Sequence, residues 1–113
     1  MASKLTTGLV GLAVEANGKQ KLALLYKRTL EIVGNMPQTA EYRQKTEAVT
    51  KHRQTILNKY TDMALVEEHI GNGQIEELII QAKNEHHLAR EMAECRPWET
   101  LIGEAPPGQW DWP

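Results

Sequence analysis

Residues 74–98 read QIEELIIQAKNEHHLAREMAECRPW, and this stretch carries the strongest periodicity in the chain. At roughly 100° per residue, Ile75, Leu78, Ile79, Ala82, Ala89, Met92 and Ala93 fall in one band, with His86 inside it. Such a band has to be covered, so the spacing predicts a long helix packed against others. Gly71, Asn72 and Gly73 precede it and allow an earlier helix to end in a left-handed residue and reverse. Glu76 and Glu77 then put negative charge where a helix N-terminus favours it. At the far end Pro97 lacks an amide donor and disfavours helical geometry at Arg96, so the helix should stop and hand the chain to Trp98. No catalytic spacing lies on it.

Upstream, Leu22, Leu25, Tyr26, Thr29, Ile32 and Val33 share one face of a helix over residues 19–33. Asn17 and Gly18 mark its start, and Gly34 and Asn35 its end. Met36 and Pro37 prevent continuation. Thr39 is placed to cap a second helix with the stripe Tyr42, Thr46, Val49, Ile56 and Tyr60. Glu41 with Lys45, and Glu47 with Lys51, stand in the acid-first order that favours helix. Arg53 lands on the apolar stripe, where it either pairs with a buried acid or lays its carbons on the core edge and lifts its charge to water. Thr61 or Asp62 can cap a short third helix, Met63–Ile70, which reverses through residues 71–73. No segment shows the alternation of a half-buried strand, so a helical hairpin is expected there.

Both ends of the chain differ from this pattern. Residues 6–14, TTGLVGLAV, are apolar, carry two glycines and have no helical period. They read as an extended arm lying on the bundle's own surface or on another protein. From Pro97 onward lie four of the five prolines and all three tryptophans. Trp110 and Trp112, two apart near a chain end, are costly to leave in water, so the tail either folds back or hooks a partner. Prolines 106 and 107 stiffen the lead-in. Leu9, Val10, Leu12, Trp98, Trp110 and Trp112 are therefore the candidate partner-contact residues.

The 113 residues, 12.8 kDa, allow one modest core. The expected organisation is all-α, a single domain: an extended N-terminal arm over 1–17, a bundle of three or four helices over 18–97, and an irregular tail over 98–113. A net charge of -2 and a pI near 6.1 supply no basic field for a phosphate backbone, which argues against nucleic acid. Lys51, His52 and Arg53 form a local basic group that reads as a solvated helix face. Cys95, the single cysteine, cannot form an internal disulfide, which fits a reducing compartment. The apolar run 9–14 is far shorter than the roughly 20 residues of a membrane span. With lysine alone as the basic residue before Arg28, the N-terminus resembles neither a secretory leader nor an arginine-rich transit peptide; internal import signals would leave no such mark.

The acids and histidines are the first candidates for metal or acid–base chemistry. Di-metal sites in helical bundles use Glu-x-x-His, but Val49, Val66, Lys83 and Asn84 stand three before His52, His69, His86 and His87. His-Glu-x-x-His is missing as well, so His86 reads as a core or interface histidine and no metal or cofactor is expected. Cys95 lacks an identified base nearby and reads as an inert thiol.

TTGLVGLAV, then Ala40, Tyr42 and Arg43 ahead of Thr46 and Glu47, then GNGQIEELIIQA, LAREM, Trp98-Glu99 and QWDWP together resemble one family. It is the alpha-subcomplex subunit five family of mitochondrial respiratory complex I, the NADH:ubiquinone oxidoreductase. The order is kept over nearly the whole chain; the departures are an aromatic residue expected near Cys95 and a proline expected at Thr100. The resemblance implies a mostly helical, non-catalytic accessory subunit on the matrix face of the inner membrane. It would sit on the peripheral arm without a redox centre, touching core subunits of the quinone-reducing module and supporting electron transfer from NADH through assembly or stability. From the residues alone, a free-standing helical adaptor and a small metal-dependent helical enzyme remain as alternatives.

Overall fold

The computed structural model describes residues 6–14, 16–100 and 103–111. Four helices follow in order: α1 Gly18–Val33, α2 Glu41–Lys59, α3 Met63–Ile70 and α4 Ile75–Cys95. No strand occurs among the described residues. The all-α bundle expected from the periodicities is therefore present, with the four-helix count.

α1 lies between α2 and α4. Gly18 at its start is buried against Ile75 at the start of α4, and a Cβ there would meet Ile75 Cγ1 at 3.0 Å. At the other end Val33 shares an apolar cluster with Ala89. α1 and α4 thus run parallel, and α2 returns antiparallel to both. The Lys19 ammonium donates to the Tyr60 carbonyl at 3.1 Å, tying the head of α1 to the foot of α2.

The principal core gathers Leu22 and Tyr26 from α1, Ile56 and Leu57 from α2, Val66 from α3, and Ile75, Leu78, Ile79 and Ala82 from α4. Leu22, Leu57, Leu78 and Val66 are wholly buried, each such side chain contributing about 1.5–3 kcal/mol of transfer free energy. A second cluster, Val33, Met36 and Ala89, closes the far end with Met92 and Trp98 packed on it. Ala93, expected on the buried band, is exposed, because α1 has ended by that level; Met92 and His86 are half-buried.

The connections follow local chemistry. Arg43 reaches back from α2 to donate to the Met36 carbonyl and pairs with Glu47 at 3.2 Å, fixing the α1–α2 turn. Thr39, expected to cap α2, is exposed; the N-cap is Ala40, buried and without a side-chain cap. Burial of that methyl decides the chain path, and the Arg43 and Gln44 side chains tie the turn by accepting neither role of a cap but donating to the Met36 and Gln38 carbonyls. α3 starts as expected at Asp62, whose carboxylate accepts from Ala64 N at 3.0 Å, and ends at left-handed Gly71, φ 76°. Glu67 of α3 then accepts the Ile75 amide at 2.9 Å, and Gln74 with Glu77 forms a capping box. Tyr60 stacks on His69, centroids 4.3 Å apart, pinning α2 to α3. Arg96, at φ 51°, ends α4 immediately before Pro97.

The arm curls where an extended course was expected. Gly8 and Gly11 adopt left-handed φ of 75° and 78°, and the Thr7 hydroxyl donates to the Leu12 carbonyl at 2.6 Å across the loop. Gln74 Nε2 donates to the Thr7 carbonyl at 2.6 Å, which roots the arm at the head of α4.

Candidate interaction surfaces

The arm presents its apolar residues at the tip of this curl. Thr7 is buried at the root, whereas Leu9 is 45% exposed and Val10 is fully exposed. Leu12 is half-buried. At the other end Trp98 is half-buried against the Val33, Met36 and Ala89 cluster, so it roots the tail on the bundle. Beyond it the tail turns through hydrogen bonds from Gln109 N to the Pro106 carbonyl and from Asp111 N to the Gly108 carbonyl. Trp110 stands 82% exposed. Trp112 lies outside the described residues.

The structure does not bring the five described ones, Leu9, Val10, Leu12, Trp98 and Trp110, together in one patch. Arm and Trp98 lie at opposite ends of α4, whose 21 residues span about 31 Å at 1.5 Å per residue.

A third feature was not anticipated. α2 and α4 diverge above α1 and leave an open groove of about 430 Å³. Tyr26 and Thr29 of α1 line it together with Lys45, Thr46, Val49, Thr50 and Arg53 of α2 and Gln81 and Glu85 of α4. Val49, expected in the core stripe, is exposed because it faces this opening. Of the residues that α2 does bury, Thr46 and Thr50 also line this groove, while Ile56 and Leu57 lie further along the helix in the principal core.

One end of the groove is closed by polar bonds. The Tyr42 hydroxyl donates to Glu85 Oε1 at 2.6 Å, and the Thr46 hydroxyl approaches the same oxygen at 3.5 Å. Burial, followed by this bond to a carboxylate, pushes the Tyr42 phenol far above its ordinary pKa. Along the groove Arg53 Nη1 donates to Gln81 Oε1 at 3.2 Å, bridging α2 to α4.

Tyr26 is only 4% exposed, and its hydroxyl has no hydrogen-bond partner. Burial raises its pKa, opposed by the nearby Arg53 guanidinium, which lies close without reaching good hydrogen-bond geometry. An unpaired buried hydroxyl costs about 1–3 kcal/mol. The signals in the sequence were Arg53 and the threonines 29, 46 and 50, polar groups at helix positions where apolar ones pack better.

Among the described residues no three of His, Cys, Asp and Glu gather as metal ligands, and no helix is long and apolar enough to cross a membrane. His87 pairs with Glu91 at 3.1 Å, and Cys95 is exposed at the end of α4. Fold and surfaces together define a small helical protein with exposed apolar side chains toward both ends and an open groove along one side.

Residues 11–77 match the family described as the ETC complex I subunit conserved region. The chain is 44% identical over 110 residues to NADH dehydrogenase [ubiquinone] 1 alpha subcomplex subunit 5 of Bos taurus, covering 97% of this chain and 95% of that protein. To the probable subunit 5 of Caenorhabditis elegans it is 42% identical over 97% of this chain and 73% of that one. The probable mitochondrial subunit 5 of Arabidopsis thaliana is 38% identical over 84% of this chain and 56% of that protein. The chain belongs to the complex I alpha subcomplex subunit 5 family.

Proposed function

We propose that this chain is a non-catalytic accessory subunit of mitochondrial respiratory complex I. It serves the assembly or stability of the matrix-facing peripheral arm at the inner membrane and touches core subunits of the quinone-reducing module. Its part in electron transfer from NADH to ubiquinone is to hold the carriers' surroundings in place. Family membership supports the assignment to the complex.

The observation that carries the docking role is the bare hydrocarbon at the two ends, Leu9 and Val10 on a rooted loop and Trp110 on a rooted tail. Exposed aromatic and aliphatic tips on anchored stems suit association, because anchoring lowers the entropy lost on docking. Leu12, Trp98 and Trp112 belong to the same two contact regions.

The test is native separation of detergent-solubilised mitochondria. The chain should co-migrate with NADH dehydrogenase activity. A free-standing adaptor would run mostly apart from that activity, and such a result refutes the subunit reading.

A further inference from the structure

The groove between α2 and α4 is lined by residues of α1, α2 and α4 and by none of the arm or the tail. Its lining runs from Tyr42 to Arg53 along α2, about 16 Å at 1.5 Å per residue, so it is long enough for a segment of polypeptide with a side chain directed inward. Two hydrogen-bonding groups there are not fully used. The Tyr26 hydroxyl has no partner, and the Arg53 guanidinium has five N–H groups, one of them given to Gln81. Both line the same 430 Å³ space.

We propose that this groove receives an acidic side chain, Asp or Glu, from a neighbouring subunit, whose carboxylate accepts from the Tyr26 hydroxyl and the Arg53 guanidinium. This rests on the subunit reading above. A carboxylate suits the site because it accepts from a guanidinium in a bidentate manner and has lone pairs left for a phenol. A basic side chain would meet Lys45 and Arg53, and the one acid in the lining, Glu85, already accepts from Tyr42 at 2.6 Å. An apolar side chain would leave the Tyr26 hydroxyl unpaired. A phenol, with an ordinary pKa of about 10, is protonated and so a donor at neutral pH.

The test compares Tyr26→Phe and Arg53→Met with wild type, each competing with a tagged wild-type chain for places in complex I. Tyr26→Phe removes an unpaired polar atom, so the isolated chain keeps or raises its Tm, while incorporation falls about tenfold. A photo-crosslinker replacing Val49 in the assembled complex should capture a peptide of another subunit containing Asp or Glu. Incorporation of both variants at parity with wild type overturns the proposal, as does a captured peptide without an acid. Succinate titrated into the isolated chain is the remaining arm: saturable NMR shifts at Tyr26 and Arg53, lost in the variants, would assign the groove to a free small carboxylate and overturn docking. Wild-type chain running apart from NADH dehydrogenase activity would refute the subunit reading and this proposal together, whereas variants at parity refute the groove alone.

Discussion

Trp110→Ala separates a contact surface from a structural side chain more sharply than any other single change. Trp110 is 82% exposed, and a tryptophan offers up to about 250 Å² for burial, so about 200 Å² stands uncovered. At about 25 cal/mol per Å² full coverage by a partner is worth up to about 5 kcal/mol. Incomplete coverage and the ordering of side chain and tail take away about half, leaving about 2–3 kcal/mol, or about 30- to 150-fold in affinity. The same exposure means that the folded monomer loses little, within about 0.5 kcal/mol. The assay expresses Trp110→Ala beside tagged wild type at equal levels, then measures their ratio by mass spectrometry in intact complex I and in the free pool. The variant should be depleted at least tenfold from the complex, with the Tm of the isolated chain unchanged. Parity in the complex would refute the contact reading, and a Tm lowered by several degrees would show instead that the tail packs on its own bundle.

Leu22 and Leu24 lie two residues apart on α1, the first wholly buried and the second 46% exposed. Leu22→Ala should cost about 3–4 kcal/mol in urea denaturation, and Leu24→Ala less than about 0.5; equal losses would contradict the assigned helix face. Trp98→Ala, which strips the cover from Val33, Met36 and Ala89, should destabilise the isolated chain by about 2 kcal/mol, and an unchanged Tm would mean that the tail is not rooted there. The phenols of Tyr26 and Tyr42 are raised above the ordinary value, mainly by burial. Their contribution to stability is therefore whole below pH about 10, where the unfolded phenols are protonated, and is lost as pH rises through the higher folded values. Absorbance at 295 nm should show these two ionising together with unfolding, and reversible ionisation near pH 10 in a folded chain would disprove their burial.

The helices were legible because their apolar residues recur at the helical period and their ends carry strong signals. Asp62, Gly71 and Pro97 each act within a few residues, so sequence displays them directly, whereas the Gln74 and Glu77 box reads in the sequence only as negative charge in the first turn of α4. Thr39 misled because the cap position was settled by burial of Ala40 against the bundle, a tertiary effect that outweighs cap preference. The curl of the arm is local, made at Gly8 and Gly11 and closed by Thr7 on Leu12, but its rooting depends on the Thr7 carbonyl meeting Gln74, 67 residues away, and no local pattern reports that. The groove was hidden for a related reason. Periodicity gives the buried face of each helix, but not the angle at which two helices diverge, and Val49 is apolar and in phase yet faces the opening.

The two ends share one construction, an anchored root and a bare tip. Thr7 is buried and held by Gln74 while Leu9 and Val10 stand free; Trp98 is packed while Trp110 stands free. A tip on an unanchored strand would have to be ordered at every association, and each immobilised side chain alone costs about 0.5–1.5 kcal/mol. Rooting transfers part of that cost to folding, where the bundle core meets it. Root and tip should therefore part company under substitution: changes at Trp98 or Gln74 act on the isolated chain first, and changes at Val10 or Trp110 act on assembly. Tyr26 stands apart from both classes, since its hydroxyl burdens the monomer and gains a partner only when the groove is filled.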